Sequence, residues 1–283
     1  MKGLEDWSAG DRYEPYVGRW SRRVAAPFLA WLGRPAGLDW LDLGCGTGAL
    51  SQAILEQCAP RRVVGIDASE AFATYARAHC TDPRVRFTVA DARALPFDAS
   101  SFDAVVSGLM LNFVAEPRQA LNEMIRVARP QAVVGAYVWD YAQGMQMMRA
   151  FWDAAVALDP DAATLDEARR FPMCSPQGLS ALLVDAGIVD VQVRAIDTTT
   201  RFRDFDDYWS PFLGGQGPAP TYAASLDGPR RDELRERLRD ALPHGRRRLD
   251  RTRSARLGRP RQAALLAARR HTRAEDRETA SGN

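Results

Sequence analysis

The segment that most narrows what this chain can become is Leu41-Asp42-Leu43-Gly44-Cys45-Gly46-Thr47-Gly48. An apolar run, Leu38–Leu43, leads into glycines at alternate positions, and a helix-forming run, Ala49–Cys58, begins at once. Glycine tolerates positive φ and lets backbone approach a ligand closely, so the segment reads as strand, ligand-facing loop and helix. The alternation continues downstream. Arg62–Ile66, Val85–Val89, Asp103–Val106 and Ala132–Trp139 read as strands, and Glu70–Cys80 and Arg118–Ala128 as helices, with a short loop-rich crossover between the third and fourth strands. Upstream, Val24, Phe28, Trp31 and Leu32 recur at helical spacing before Gly33. Such alternation predicts an α/β fold, a mostly parallel sheet with helices on both faces. Right-handed crossovers then place the ligand crevice at the carboxyl ends of the strands.

Three acidic residues fall at those ends. Asp42 closes the first strand, Asp67 the second, about 20 residues past the glycines, and Asp91-Ala92 the third. A strand-end carboxylate there can accept from ribose hydroxyls or an adenine amino group, and the Ala92 N–H can reach a ring nitrogen. One such Asp alone is as well explained by helix capping or a turn; three around one glycine loop are not. The loop by itself also fits a nicotinamide-dinucleotide pattern, Gly44-x-Gly46-x-x-Ala49, which keeps an oxidoreductase reading open.

With these residues in place, the stretch from Trp40 to Trp139 resembles the class I S-adenosylmethionine-dependent methyltransferases. It is most similar to their small-molecule "type 11" branch, which includes ubiquinone and menaquinone C-methyltransferases. The run Ala94-Leu95-Pro96-Phe97-Asp98-Ala99-Ser100-Ser101-Phe102-Asp103-Ala104-Val105-Val106-Ser107 carries much of that likeness. The resemblance implies a Rossmann-like sheet with helical insertions near its C-terminal strands and S-adenosylmethionine as methyl donor. It implies that Gly44 and Gly46 cradle the methionine part, Asp67 the ribose, and Asp91 with Ala92 the adenine. Asp42 and the Ser107 backbone would lie near the methionine amine. Tyr16 and Arg19 match the family's N-terminal segment that closes over the donor, although both also suit an ordinary exposed surface.

Methyl transfer is displacement at a carbon already activated by a sulfonium, so in-line positioning can supply roughly 7–11 kcal/mol. A general base adds about 10²–10⁴-fold only where the acceptor is still protonated. No residue is identified as that base: His79 lies near a helix end, and His244 and His271 belong to the C-terminal region. Asn112, after the fourth strand, is a candidate substrate contact. So are Trp139, Tyr208 and Trp209, within two aromatic groups, Trp139-Asp140-Tyr141 with Met145, Met148, Phe151 and Trp152, and Phe205, Tyr208, Trp209 and Phe212. Such residues line pockets and equally fill cores. Together they suggest a small, fairly apolar acceptor. The Asn/Asp-Pro-Pro-Tyr motif of nucleic-acid amino-methyltransferases is absent, which argues against nucleic acid. A catalytically silent donor-binding protein remains the non-enzymatic alternative.

Organisation follows from the same reading. Residues 1–243 form the methyltransferase domain, with an N-terminal helical segment (1–36), a donor-binding core (37–140) and helical caps over the substrate (141–175 and 203–243). Within the caps, Met145–Leu158, Pro176–Ala186 and Pro229–Leu242 read as helices, Val189–Ile196 as a strand and 214–220 as a loop. The 283-residue chain carries net charge +2, yet 12 arginines stand against 4 acidic residues from His244 onward, leaving 26 basic and 32 acidic groups before it. The family's sheet ends in an antiparallel hairpin whose last strand lies between its neighbours. Val189–Ile196 can supply one member, but after Pro243 no alternating stretch supplies the other, and Ala263–Ala268 has a helical pattern. Residues 244–283 are therefore expected to be a nucleic-acid arm lacking stacking aromatics, a solvated extension, or the product of a reading-frame shift. The last accounts for both the missing strand and the composition. No apolar run approaches the ~18 residues of a membrane span. Cys45, Cys58, Cys80 and Cys174 lack metal or disulfide spacing, and a cytoplasmic location without metal is expected.

Overall fold

β1 (Asp39–Leu43) is buried along its whole length, as a strand covered on both faces must be. In the computed structural model, which describes residues 19–188, 190–198, 202–214, 217–242 and 264–271, it is the centre of a parallel set. β1 pairs with β2 (Arg62–Asp67) on one side and β4 (Phe102–Gly108) on the other. β3 (Val85–Val89) extends the sheet beyond β2, and β5 (Ala128–Trp139) beyond β4. The full order is β3-β2-β1-β4-β5-β7-β6. β6 (Gln192–Asp197) and β7 (Ala264–His271) are antiparallel to their neighbours. The mostly parallel α/β sheet expected from the alternation is therefore present. Its strand order reverses between β2-β1 and β4, which opens a crevice at the carboxyl ends.

Helices cover the sheet through apolar stripes at helical spacing. α1 (Arg19–Leu32) buries Val24, Phe28 and Leu32, and Phe28 meets Tyr137 of β5 edge-on at 4.8 Å. α2 (Ala49–Gln57) follows the glycine loop. α3 (Glu70–His79) starts where the Phe72 N–H donates to the Ser69 hydroxyl. α4 (Pro117–Val127) takes Pro117 in its first turn, where no intrahelical donor is lost, and runs directly into β5. α5 (Gln146–Leu158), α6 (Glu167–Arg170), α7 (Pro176–Asp185), α8 (Phe205–Trp209), α9 (Pro218–Ser225) and α10 (Gly228–Ala241) follow. Their contacts are aromatic: Phe151 stacks on Phe212 at 4.5 Å, and Trp152 packs against Tyr222 at 5.9 Å. Glu167 is buried there and accepts from the Trp152 indole N–H, while Asp166 pairs with Arg149 at 2.7 Å.

At the opposite end of the sheet from the crevice, buried Asp39 joins Arg61, Arg62 and Arg129, and Arg129 reaches on to Asp103 at 2.7 Å. The Arg61 hydrogen bond is the largest influence holding the Asp39 carboxyl below its ordinary range, against the opposing effect of burial.

Three expectations need correction. The strand judged missing after Pro243 exists: β7 lies between β5 and β6, paired with Val133–Trp139 on one side and Gln192–Asp197 on the other. Its Ala-Leu-Leu-Ala-Ala run has the composition of a helix, but ladder pairing on both edges outweighs intrinsic preference. The frame-shift reading thus loses the missing strand on which it rested. The segment expected to be a loop to residue 220 becomes helical at Pro218, a residue suited to a first helical turn. The strand read from Val189 starts at Gln192. No helix among the described residues is long and apolar enough to cross a membrane.

Candidate functional site

The glycine loop is shaped by hydrogen bonds it makes to its own fold. The N–H groups of Gly44 and Cys45 both donate to the Ile66 carbonyl of β2, at 2.7 and 2.9 Å. The Gly46 N–H donates to Asp67 Oδ2 at 2.9 Å, and that of Gly48 to the Cys45 carbonyl at 2.8 Å. These bonds hold Gly44 and Gly46 at φ +72° and +52°, where a side chain is strained. A Cβ on Gly44 would lie 2.5 Å from Met110 Cβ, whereas one on Gly46 would meet nothing within 4 Å. Gly46 thus presents bare backbone to open space.

That space is a cleft of about 720 Å³, within the usual size for a small-molecule site. Its lining is polar where Asp42, the glycine loop, Asp67 and Asp91–Arg93 contribute, and apolar where Phe72, Leu109, Met110, Phe113, Val114 and Tyr137 do. Leu109 holds φ +59° just beyond β4, fixed by its N–H donating to the Tyr137 carbonyl at 2.8 Å. Backbone held in that region by its surroundings is common at ligand sites.

The three carboxylates have different environments. Asp67 receives the Gly46 and Ser69 amides, each at 2.9 Å; burial is the larger influence and raises its pKa, while those bonds lower it. Asp91 is half exposed and paired bidentately with Arg93, whose Nη2 lies 2.7 Å from Oδ2; the pair holds Asp91 below its ordinary range. Asp42 is 1% exposed, accepts from the Ser51 hydroxyl at 2.7 Å through Oδ2, and has no partner on Oδ1. Burial pushes its carboxyl up to about 7, opposed by the Ser51 bonds and reinforced by the charge on Asp67.

Of the residues singled out in the sequence, Asp42, Gly44, Gly46, Asp67, Asp91 and Ala92 converge on this cleft. Ser107 is buried one residue behind Gly108, which lines it. Asn112 is buried in the turn Leu111–Phe113, between the lining residues Met110 and Phe113, with Nδ2 unpartnered. Trp139, Tyr208 and Trp209 are outside the lining and inside the core: the Tyr208 hydroxyl donates to the Met147 carbonyl at 2.9 Å, and Trp209 packs on Phe212. Tyr16 and the side chain of Arg19 lie outside the described residues. Phe72, Leu109, Met110, Phe113, Tyr137 and Arg93 were not anticipated. Their signal was positional, since most follow a strand end or precede one that the motifs had already located.

The N–H groups of Gly44, Cys45, Gly46 and Gly48 are committed to bonds within the fold. Residues 41–135, which span the loop and the sheet through most of β5, match the family model described as a methyltransferase domain. A demethylmenaquinone methyltransferase from Roseiflexus castenholzii is 31% identical over 171 residues, covering 55% of this chain and 70% of that protein. The chain belongs to the class I S-adenosylmethionine-dependent methyltransferase family. A second such relative, from Clavibacter sepedonicus, is 45% identical over 96 residues, covering 34% of this chain and 38% of that protein. The chain thus spans between about two fifths and 70% of the length of these two methyltransferase relatives. Among solved structures, Haemonchus contortus phosphoethanolamine N-methyltransferase 2 in complex with S-adenosyl-L-methionine superposes with a TM-score of 0.51. The identity is 17%, with 88% of this chain and 52% of that chain covered, a likeness of fold.

Proposed function

We propose that this methyltransferase transfers the methyl group of S-adenosylmethionine to a small, apolar, quinone-like acceptor. The observation that carries this reading is one cleft lined both by charged and bare-backbone groups and by Met110, Phe113, Val114 and Tyr137. The two demethylmenaquinone methyltransferases support the acceptor class. A bound donor supplies a sulfonium-activated methyl group. Asp67 would accept from the ribose hydroxyls, and Asp91 with the Ala92 N–H would take the adenine edge. Gly46 admits the methionine portion because a side chain there would occupy the cleft.

We assign the cleft's carboxylates, Asp42, Asp67 and Asp91, to donor binding rather than to deprotonation of the acceptor. What the chain contributes to the chemistry is alignment: the apolar wall excludes water and holds the acceptor against the methyl carbon, an effect worth roughly 7–11 kcal/mol. The unpartnered Asn112 Nδ2 is a candidate donor to an acceptor oxygen, reached by a small movement of the turn that carries it. Calorimetric titration with S-adenosylmethionine, followed by turnover on quinol, phenol and short-amine acceptors, tests the proposal. We expect saturable binding, weakened about 10–100-fold in Asp67→Ala by loss of charged hydrogen bonds, and preference for quinols. Absence of binding by the folded protein overturns it, and preference for amines overturns the acceptor class.

A further inference from the structure

One side chain crosses the point where the strand order reverses. Ser107 of β4 pairs with Leu43 of β1; Gly44 follows Leu43, and Met110 lies three residues beyond Ser107. Met110 folds back over that gap onto the glycine. A Cβ on Gly44 would lie 2.2 Å from Met110 Cγ and 3.1 Å from Cε, so Sδ, bonded to both, sits against the same backbone. Gly44 and Gly46 therefore lack side chains for different reasons. Gly46 leaves open space, whereas Gly44 leaves room that Met110 fills. The backbone that carries Met110 is pinned on both sides: the Leu109 N–H donates to the Tyr137 carbonyl and the Phe113 N–H to the Met110 carbonyl, each at 2.8 Å. The side chain is half-buried and lines the cleft, as do Gly44, Leu109 and Phe113. An unbranched thioether on fixed backbone gives a wall of settled position whose tip still adapts to what it meets.

We propose that Met110 is a specificity-determining residue in contact with both reactants: it packs against the donor where the glycine loop holds it, and its outer surface limits the size of ring that can reach the methyl carbon. The inference rests on the reading of this cleft as a site for S-adenosylmethionine and a quinone-like acceptor. What supports it is that one side chain both covers the glycine loop and lines the cleft with the apolar residues that follow β4. Reacting atoms must come within about 3–3.5 Å in line, and a displacement of about 1 Å can cost on the order of 10²-fold. A residue at that junction acts on turnover and on the choice of acceptor more than on donor affinity.

The test compares the full chain with Met110→Ala, Met110→Leu and Met110→Phe, each checked for folding by thermal unfolding. Calorimetry reads S-adenosylmethionine binding, and turnover is measured on one-ring benzohydroquinone and two-ring naphthohydroquinone. Met110→Ala removes Cγ, Sδ and Cε from the junction. We expect its kcat on benzohydroquinone to fall about 10–100-fold and its preference for naphthohydroquinone, as a ratio of kcat/KM values, to rise about 10-fold. The donor Kd should move less than about 5-fold. Met110→Leu, of similar volume, should keep the native ratio within about 3-fold. Met110→Phe enlarges the side chain and should move the ratio the opposite way, which keeps the test decisive if Met110→Ala does not fold. A ratio unmoved in the folded variants, or a loss falling equally on both acceptors, makes Met110 a packing residue and overturns the inference while the donor assignment stands. Donor binding by the native chain without turnover of either hydroquinone overturns the acceptor class and this inference with it. Absence of donor binding by the folded native chain overturns both readings at their root.

Discussion

At the residue scale, Gly44 is constrained twice. Its φ of +72° costs any L side chain about 1–2 kcal/mol, and a Cβ would press into Met110. Gly44→Ala should therefore lose at least that much stability, and shift Met110 into the cleft, weakening donor binding; denaturant unfolding and calorimetry read the two effects separately. Two buried acids set the pH response. Glu167, against the Trp152 indole, is raised by burial to about 7, as is Asp42. In the unfolded chain both ionise near pH 4, so between pH 4 and 7 the folded chain holds the extra protons and stability falls as pH rises, levelling above about 7. Glu167→Gln should flatten part of that slope and leave the protein more stable at pH 8, by on the order of 3 kcal/mol. Thermal unfolding from pH 5 to 8 checks this, and an unchanged slope contradicts it. The three strand-end acids and the glycines were legible because backbone position dictates them. The apolar wall was not: Tyr137 and Trp139 share a face of β5, yet Tyr137 lines the cleft and Trp139 is buried outside its lining.

At the element scale, β7 shows where sequence pattern gives out. Ala264–His271 reads as helix by composition, and its strand identity comes from partners remote in sequence. The parallel strands were readable locally because their fully buried apolar runs are bounded by turn residues and followed by amphipathic helices. Leu266 pairs with Val138 of β5 and Ala195 of β6. Leu266→Pro removes a ladder donor at the centre of that strand and should loosen both neighbours. Hydrogen exchange is expected to accelerate at Val138, Trp139 and Ala195 while β1 and β2 stay protected. Unaltered protection at β5 would contradict the pairing.

At the scale of the molecule, stability and binding occupy opposite ends of one sheet. The Asp39 cluster closes the amino ends of β1, β2 and β4, and the cleft opens at their carboxyl ends. Asp39→Asn should cost about 1–2 kcal/mol, a value discounted because its arginines remain largely solvated, and should leave donor affinity unchanged. Because Asp39 is held below its ordinary range, its contribution is present above about pH 4 and lost as pH falls. Unfolding curves with parallel calorimetry test the separation. The place of β7 has a further consequence during synthesis. The ribosome delivers the chain from its N-terminus, and domains tend to fold as they emerge, yet the strand that joins β6 to the rest of the sheet is the last described element made. Until β7 has been made and docks, β5 presents an unpaired edge to every neighbouring nascent chain, so the interval between synthesis of β5 and of β7 sets how long the newborn protein depends on chaperone cover.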